Sequence, residues 1–543
     1  MMIETRVDGW SRDMKILTAE QMQQVDRLST ETYHIPSLLL MENAATQTTL
    51  AIIRKYGDVR NKRVLIVCGK GNNGGDGAAI GRQLWMRGAR LDVVVLAQRE
   101  STAGDARINF DILKQLSQSA PLVEFQEITS SPAWKEFIQQ HASYDLIIDG
   151  IFGTGLQRPT GGLQAEVISD LNEITLNRSA PVIAIDIPSG LSADNDLIIG
   201  PTIQADLTVT FTRPKPANVL PPACYHCGEL IVASIGSPDS LVEASGANLN
   251  LVGASQVKRW LDQTRRTPLS HKGTFGHALL IAGSSGKPGA ACLAAEAALR
   301  AGVGLVTVGT VRKAQTVIVS HTAEAMTERL EETAEGTVSD AALDRALGLM
   351  AERDVLAMGP GLTTHESTRC FVQMLVRRRT RPTIIDADGL NCLAPWPEDL
   401  SGQDVPLILT PHPGEMARLM GLSNRDVLSN RVGVVREFAR THSVILLLKG
   451  NRSLMAAPDG QVYINPTGNA GLATAGTGDV LTGMIAGFLA QKPDQPLESV
   501  MAAVYLHGLA GDIAAARIGM RSMIASDVTR HLSDAIEQIA GME

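Results

Sequence analysis

The chain has 543 residues, too many for one ordinary hydrophobic core, and roughly two to four domains are expected. An apolar fraction of 44% with 50 glycines suits α/β architecture, whereas a net charge of −8, 4% aromatic residues and no dense Lys/Arg block argue against a nucleic-acid or anionic-membrane partner. Six scattered cysteines form no disulfide framework, the N-terminus lacks an apolar core, and no apolar run reaches the ~20 residues of a bilayer span, so a cytoplasmic protein is expected.

In chain order, TAEQMQQVDRLS suits a helix with Thr18 as N-cap and Gln21 three residues on, the spacing of a capping box. Pro36 breaks that pattern, and SLLLMENAATQTTLAIIRKYG reads as a second helix ending near Gly57. Val64 to Cys68 reads as a buried strand, the following glycines as a turn, and Ala78 to Met86 as a helix. Gly69-Lys70-Gly71-Asn72-Asn73-Gly74 matches GxGxxG formally. A dinucleotide site of that kind also wants an acidic residue about 20 residues on, and LDVVVLAQRE ends without one in place. The turn carries Asn72, Asn73 and Asp76 instead, oxygens that suit a phosphate-bearing ligand with a hard cation.

Strand-like runs follow at 144–150, 181–190, 205–211 and 228–236, separated by helical or loop segments, which predicts a mainly parallel sheet. Two of them lead to Asp149 and Asp186, each followed by a glycine turn (Gly153-Thr154-Gly155, Pro188-Ser189-Gly190). Carboxyl ends of parallel strands are where such folds bind ligands, although either Asp alone is as readily a turn former. Cys224-Tyr225-His226-Cys227 is a lone CxxC and reads as an ordinary turn rather than half a zinc site.

Ile235 to Ala254, rich in Gly, Ser, Pro and Asn, is the best linker candidate, and helix-like SQVKRWLDQ comes after it. The second half again reads strand (His277–Ala282), glycine loop, helix (Ala290–Arg300) and strand (Leu305–Gly309). Gly286-Lys287-Pro288 lacks the Ser/Thr and spacing of a Walker loop. The polar stretch 322–339 reads as an exposed loop or weak helix. Further strand-like runs are DVLAMGPGL, PTIIDADGLN, PLILTPHPGEM and SVILLLKG, with helical stretches between them. The most informative stretch is Asn465 to Gly487, NPTGNAGLATAGTGDVLTGMIAG. Its apolar periodicity predicts a helix that starts at Gly476-Thr477-Gly478-Asp479, where free N–H groups and the dipole favour phosphate. Asp479 could there accept the proton of a hydroxyl attacking phosphorus, although most Asp residues at helix starts only cap the helix.

MENAA, CGKGNNGGDG, DGIFGTG and DIPSG, in this order, resemble the NAD(P)H-hydrate epimerase domain. HKGTFGHALLIAGS, GKPGAA, GPGL, DADGLN, TPHPGEM, LLKG, GNAGLAT and AGTGDVL resemble the ADP/ATP-dependent NAD(P)H-hydrate dehydratases of the ribokinase-like fold. The resemblance implies an α/β chain of two domains: an N-terminal Rossmann-like α/β sandwich of epimerase type (1–240), a linker (241–262) and a C-terminal ribokinase-like α/β domain (263–543). In the first domain, Asn72, Asn73, Gly74, Gly75 and Asp76 would contact the hydrated dinucleotide, and Gly153, Thr154, Gly155, Leu156, Gln157, Arg158 and Pro159 would line it. Asp186 would be the acid/base, and Asn73, Asp149 and Ser189 would hold a potassium ion. In the second, Ala290, Gly361, His412 and Asp479 would contact the hydrated nucleotide. Lys449, Gly450, Asn451, Arg452, Ser453 and Gly478 would hold ADP or ATP with its Mg²⁺. Residue by residue there are departures: Ala45 and Thr363 stand where the family has Gly, Ser453 where it has Thr, and Gln157-Arg158-Pro159 replaces an Arg-Gly-Glu type of loop.

The implied activity is repair of hydrated NADH and NADPH by R/S epimerisation and ADP- or ATP-dependent dehydration. The partners are then small molecules, and a homo-oligomer is expected. The rival is a ribokinase-like kinase of a vitamin precursor with an N-terminal ligand-binding or scaffold domain.

Overall fold

The computed structural model describes residues 13–120, 122–141, 143–178 and 180–542. They fall into two compact units, 14–247 and 248–542, with Asp13 counted in the second. The stretch 241–262, expected as a linker, is folded. Helix Asp239–Glu243 belongs to the first unit, and strand β8 (Leu249–Leu251) and helix Ala254–Gln263 to the second. Its Gly, Ser and Asn residues mark turns between short elements, and Val242, Leu251, Val257 and Trp260 are buried.

The first unit is built on a seven-stranded sheet. Its strands are β1 (Arg63–Cys68), β2 (Arg90–Val95), β3 (Val123–Glu127), β4 (Leu146–Gly150), β5 (Val182–Ile185), β6 (Leu207–Phe211) and β7 (Glu229–Ala233). They lie in the order β3-β2-β1-β4-β5-β6-β7, and every pairing is parallel. Helices cover both faces, so the strands read as nearly continuous apolar runs. In β1, Val64, Ile66 and Cys68 enter one core cluster, and Leu65 and Val67 enter the other. The chain runs outward in opposite directions from β1 and β4, and their carboxyl ends open a crevice. Helix Ala19–Tyr33 carries the predicted capping box, with Gln21 N donating to Thr18 Oγ1 and Thr18 N to Gln21 Oε1.

One element begins earlier than its sequence suggests. Helix α1 spans Asn72–Trp85, so the presumed glycine turn is largely its first turn. The glycines are there for closeness: a Cβ on Gly74 would lie 1.9 Å from the Gly69 carbonyl oxygen. Glycine lets the helix start directly against the end of β1.

The second unit is a larger sheet flanked by helices. Besides β8, its strands are β9 (His277–Ile281), β10 (Leu305–Thr310), β11 (Met326–Arg329), β12 (Val355–Met358), β13 (Thr383–Ile385), β14 (Leu407–Leu409), β15 (Ile445–Leu448), β16 (Leu454–Ala456) and β17 (Val462–Ile464). They follow the order β8-β17-β16-β15-β14-β13-β12-β9-β10-β11. β15/β16 and β16/β17 are antiparallel and the other pairs are parallel. The stretch 322–339, expected as a loop or weak helix, holds edge strand β11. An edge strand needs only one neighbour, so its polar residues conceal it from apolar periodicity. Helix Pro496–Ile518 is long and apolar enough by composition to cross a membrane, but most of that span is buried in the unit's interior.

Helix α2 (Pro288–Arg300) packs on helix α3 (Thr477–Gln491), which begins at Gly476 as predicted. A Cβ on Gly483 would lie 2.1 Å from the Ala294 carbonyl oxygen of α2, so glycine sets how closely the helices approach. Asp479 sits one turn before Gly483 on α3. We expect Gly483→Ala to push the helices apart and destabilise the unit by about 1–3 kcal/mol. Thermal unfolding would show a lowered midpoint, with loss of whatever chemistry Asp479 performs.

Candidate active sites

In the first unit, a cavity of about 660 Å³ opens at the carboxyl ends of the strands. Asn72, Asn73, Asp76, Gly153, Thr154, Gly155, Leu156 and Asp186 all border it. Gly74 and Gly75 are buried inside α1 behind this wall, and Gln157, Arg158 and Pro159 are exposed and do not line the described cavity. Asp186 follows β5 with a left-handed φ of 65°, a conformation uncommon outside glycine. Its carboxylate accepts from Thr210 Oγ1 at 2.8 Å and pairs with the buried Lys215 ammonium at 2.5 Å. Asp76 is half-buried at the cavity wall, and desolvation, helped by the charges of Asp186, Asp26 and Asp105, holds its carboxyl well above the usual range.

Beneath the cavity, Asp149 is fully buried at the end of β4. It accepts from Ser189 N at 2.7 Å, Ser189 Oγ at 2.5 Å and Ile151 N at 3.2 Å. Burial lifts its pKa to about 6 against those hydrogen bonds. Asn73 Nδ2 donates to the Phe152 carbonyl at 2.8 Å, and Ser189 Oγ reaches the same oxygen at 3.3 Å. Asn73, Asp149 and Ser189 thus meet around the 150–153 turn.

In the second unit, Asp479 lies half-buried in the first turn of α3. Burial raises its pKa to about 6; Asp386 adds to the rise and Lys449 opposes it. Lys449, just after β15, donates to Asp386 Oδ1 at 2.7 Å and stands 3.9 Å from Glu415. Burial alone would pull its ammonium down, but Asp386 and Glu415 outweigh that and hold its pKa up. Asp386 Oδ2 accepts from Thr482 Oγ1 at 2.6 Å, which ties the end of β13 to α3. A Cβ on Gly478 would lie 3.5 Å from Lys449 Nζ. Bare backbone N–H groups, a lysine and a carboxylate therefore meet within one turn of helix, an arrangement suited to phosphate.

The other predicted residues surround this point. Gly361, after β12, has a left-handed φ of 68°, and a Cβ there would lie 3.2 Å from the Ala290 Cβ. His412 is the N-cap of helix Pro413–Met420, its Nδ1 accepting from Gly414 N and Glu415 N. Gly450 to Ser453 turn between β15 and β16, closed by Ser453 Oγ on the Gly450 carbonyl at 3.0 Å. Arg431 donates to the Asn451 and Arg452 carbonyls at 3.0 and 2.8 Å, fixing that turn. Sequence reasoning did not single out Asp386, Lys215 or Arg431. For Asp386 a signal existed, since DADGLN is a strand end with two carboxylates. The other two become visible only through contacts distant in sequence.

A family profile described as NAD(P)H-hydrate dehydratase matches residues 278–534, and one described as YjeF-related protein N-terminus matches residues 37–217. The bifunctional NAD(P)H-hydrate repair enzyme of Moorella thermoacetica is 44% identical, over 97% of this chain and 98% of its own. The enzyme of the same name from Escherichia coli K12 is 33% identical over 94% and 92%. Among solved structures, the ADP/ATP-dependent NAD(P)H-hydrate dehydratase of Bacillus subtilis, co-crystallised with ATP/Mg²⁺, is 33% identical, covering 53% of this chain and 98% of that one with a TM-score of 0.47. With two different sites on two units and relatives matched along nearly its whole length, the chain belongs to the family of bifunctional NAD(P)H-hydrate repair enzymes.

Proposed function

We propose that the first-unit cavity interconverts the R and S forms of hydrated NADH or NADPH with Asp186 as proton shuttle, and that Asp479 removes water from the S form using ADP or ATP. One observation carries the second half of this reading: Asp479, with a pKa near 6, stands in the phosphate-suited first turn of α3 beside Lys449. A carboxylate of that pKa is ionised at neutral pH yet basic enough to accept a hydroxyl proton. The freed oxygen attacks the terminal phosphorus of the nucleotide. Gly476–Gly478 and Lys449 offset the charge that spreads over the phosphoryl oxygens. Phosphate then leaves far more readily than hydroxide, with a proton from the neighbouring carbon, and the ring double bond returns. A vitamin-precursor kinase would stop at the phosphate ester, and the dehydratase match over residues 278–534 does not favour it.

Ala290, Gly361 and His412 would meet the hydrated nucleotide. Lys449 to Ser453 and Gly478 would meet ADP or ATP, whose Mg²⁺ would travel with its phosphates. In the first unit the residues fit potassium. Asp149 is a buried carboxylate whose partners are all neutral donors, and an unpaired buried charge is costly. Asn73, Asp149 and Ser189 would hold the ion, which would fix the ligand's position. A reducing cytoplasm suits six cysteines that form no disulfide, including Cys224 and Cys227 at their short helical turn, and a homo-oligomer remains part of this reading.

Asp479→Asn should abolish recovery of the reduced-nicotinamide absorbance from the S form while R/S interconversion persists. Equal loss of both activities would show that the two sites are not independent. Because Asp479 must be ionised to accept a proton, kcat/KM for dehydration should fall below pH about 6, tenfold per unit, and level off above it. Asp386→Asn removes a negative charge that raises the Asp479 pKa, so the acid limb of that profile should move to lower pH. Dehydration at neutral pH should also fall at least tenfold, because Lys449 loses its ion-pair partner.

A further inference from the structure

The first-unit cavity holds another carboxyl group that the roles above leave unused. Asp26 borders the cavity from helix Ala19–Tyr33, whereas Asp186 follows β5 and Lys215 follows β6. Its Oδ1 is buried without a hydrogen-bond partner, while the carboxyl takes a hydrogen bond from Ser237. An ionised oxygen left without a donor is costly, whereas a protonated one is itself a donor. Burial accordingly pushes the Asp26 pKa up to about 6, with Lys215 pulling it down and Asp186 pushing it up. Lys215 cannot serve as the donor instead. Its three protons are directed to Asp186 Oδ1, Thr210 Oγ1 at 3.0 Å and the Phe211 carbonyl at 3.3 Å. Asp76, Asp105 and Lys70 complete the charged lining.

We propose that Asp26 is the second catalytic residue of this cavity, the acid that works with Asp186 as base. The inference rests on the epimerase reading of the first unit. The R and S forms differ at one ring carbon, which carries the hydroxyl and is bonded to the ring nitrogen. Asp26 gives its proton to that hydroxyl, the C–O bond breaks, and water leaves as the nitrogen lone pair forms a C=N⁺ bond. Water adds to the opposite face, the new C–O bond forms, and the C=N⁺ electron pair returns to nitrogen. The Asp186 carboxylate takes the proton released. One water leaves and one enters, no electrons are gained or lost, and one proton passes from Asp26 to Asp186. The opposite direction returns it, and in net R-to-S turnover Asp186 releases its proton to solvent and Asp26 regains one from solvent before the next cycle.

The test uses the full chain with ADP and R-form hydrated NADH, read as recovery of reduced-nicotinamide absorbance above the uncatalysed rate, with the S form as control. Asp26→Asn should slow R-form consumption at least 100-fold with KM changed little, because general acid catalysis contributes about 10²–10⁴-fold. S-form consumption should stay within twofold of the unsubstituted chain. Asp26→Glu should recover part of the rate, and incorporation of ¹⁸O from labelled water into the hydroxyl should slow in step with epimerisation in Asp26→Asn. R-form consumption by Asp26→Asn within threefold of the unsubstituted chain would overturn the proposal. So would equal loss in Asp26→Asn and Asp26→Glu accompanied by a lowered unfolding temperature, which assigns a structural role. If the unsubstituted chain and Asp186→Asn both consume the R form only at the uncatalysed rate, the epimerase reading itself fails.

Discussion

A lysine ammonium largely withdrawn from water at the end of a parallel sheet needs a carboxylate against it, because an unpaired charge there is costly. Both units meet this constraint in the same way. Lys215 lies on Asp186 and Lys449 on Asp386, each at the carboxyl edge where strands stop and side chains converge. In each case the pair leaves a neighbouring carboxyl group with a pKa near 6, Asp26 in one unit and Asp479 in the other. The lysine lowers that neighbour's pKa while its own aspartate partner and burial raise it, so the group stays poised to move a proton near neutral pH.

Small residues hold these groups in place. α3 can present Asp479 beside Lys449 because Gly483 lets it lie directly on α2, which brings Ala290 to the same site. In the first unit Gly74 does the equivalent work for α1, pressing Asn73 and Asp76 against the strand ends. The oxygen-rich set around Asp149 follows from this closeness: Asn73 reaches the Phe152 carbonyl, and Ser189 closes on Asp149 from the turn after β5.

Much of this was readable from residue order. The strand at Val64–Cys68, the capped helix after Thr18 and the glycine start of α3 all carry local signals, namely apolar runs, a capping box and a breaker followed by 3.6-residue periodicity. Three features misled. The glycines after β1 look like a turn because glycine is poor in helices, yet they serve helix–strand contact. Edge strand β11 has polar residues and no period-2 signal. The stretch 241–262 has the composition of a tether, but its few apolar residues are buried. In each case packing between distant segments overrode a local preference.

The sequence by itself determined two α/β units, the order of their strands along the chain, and that Asp479 begins a helix bounded by glycine. Those properties depend on periodicity and on neighbouring residues. The tertiary structure decided which charges meet: Lys449 with Asp386, 63 positions apart in sequence, Lys215 with Asp186, and the unpartnered oxygen of Asp26. Burial and proximity set the proton affinity of a carboxyl group, and neither is a property of its neighbours in sequence.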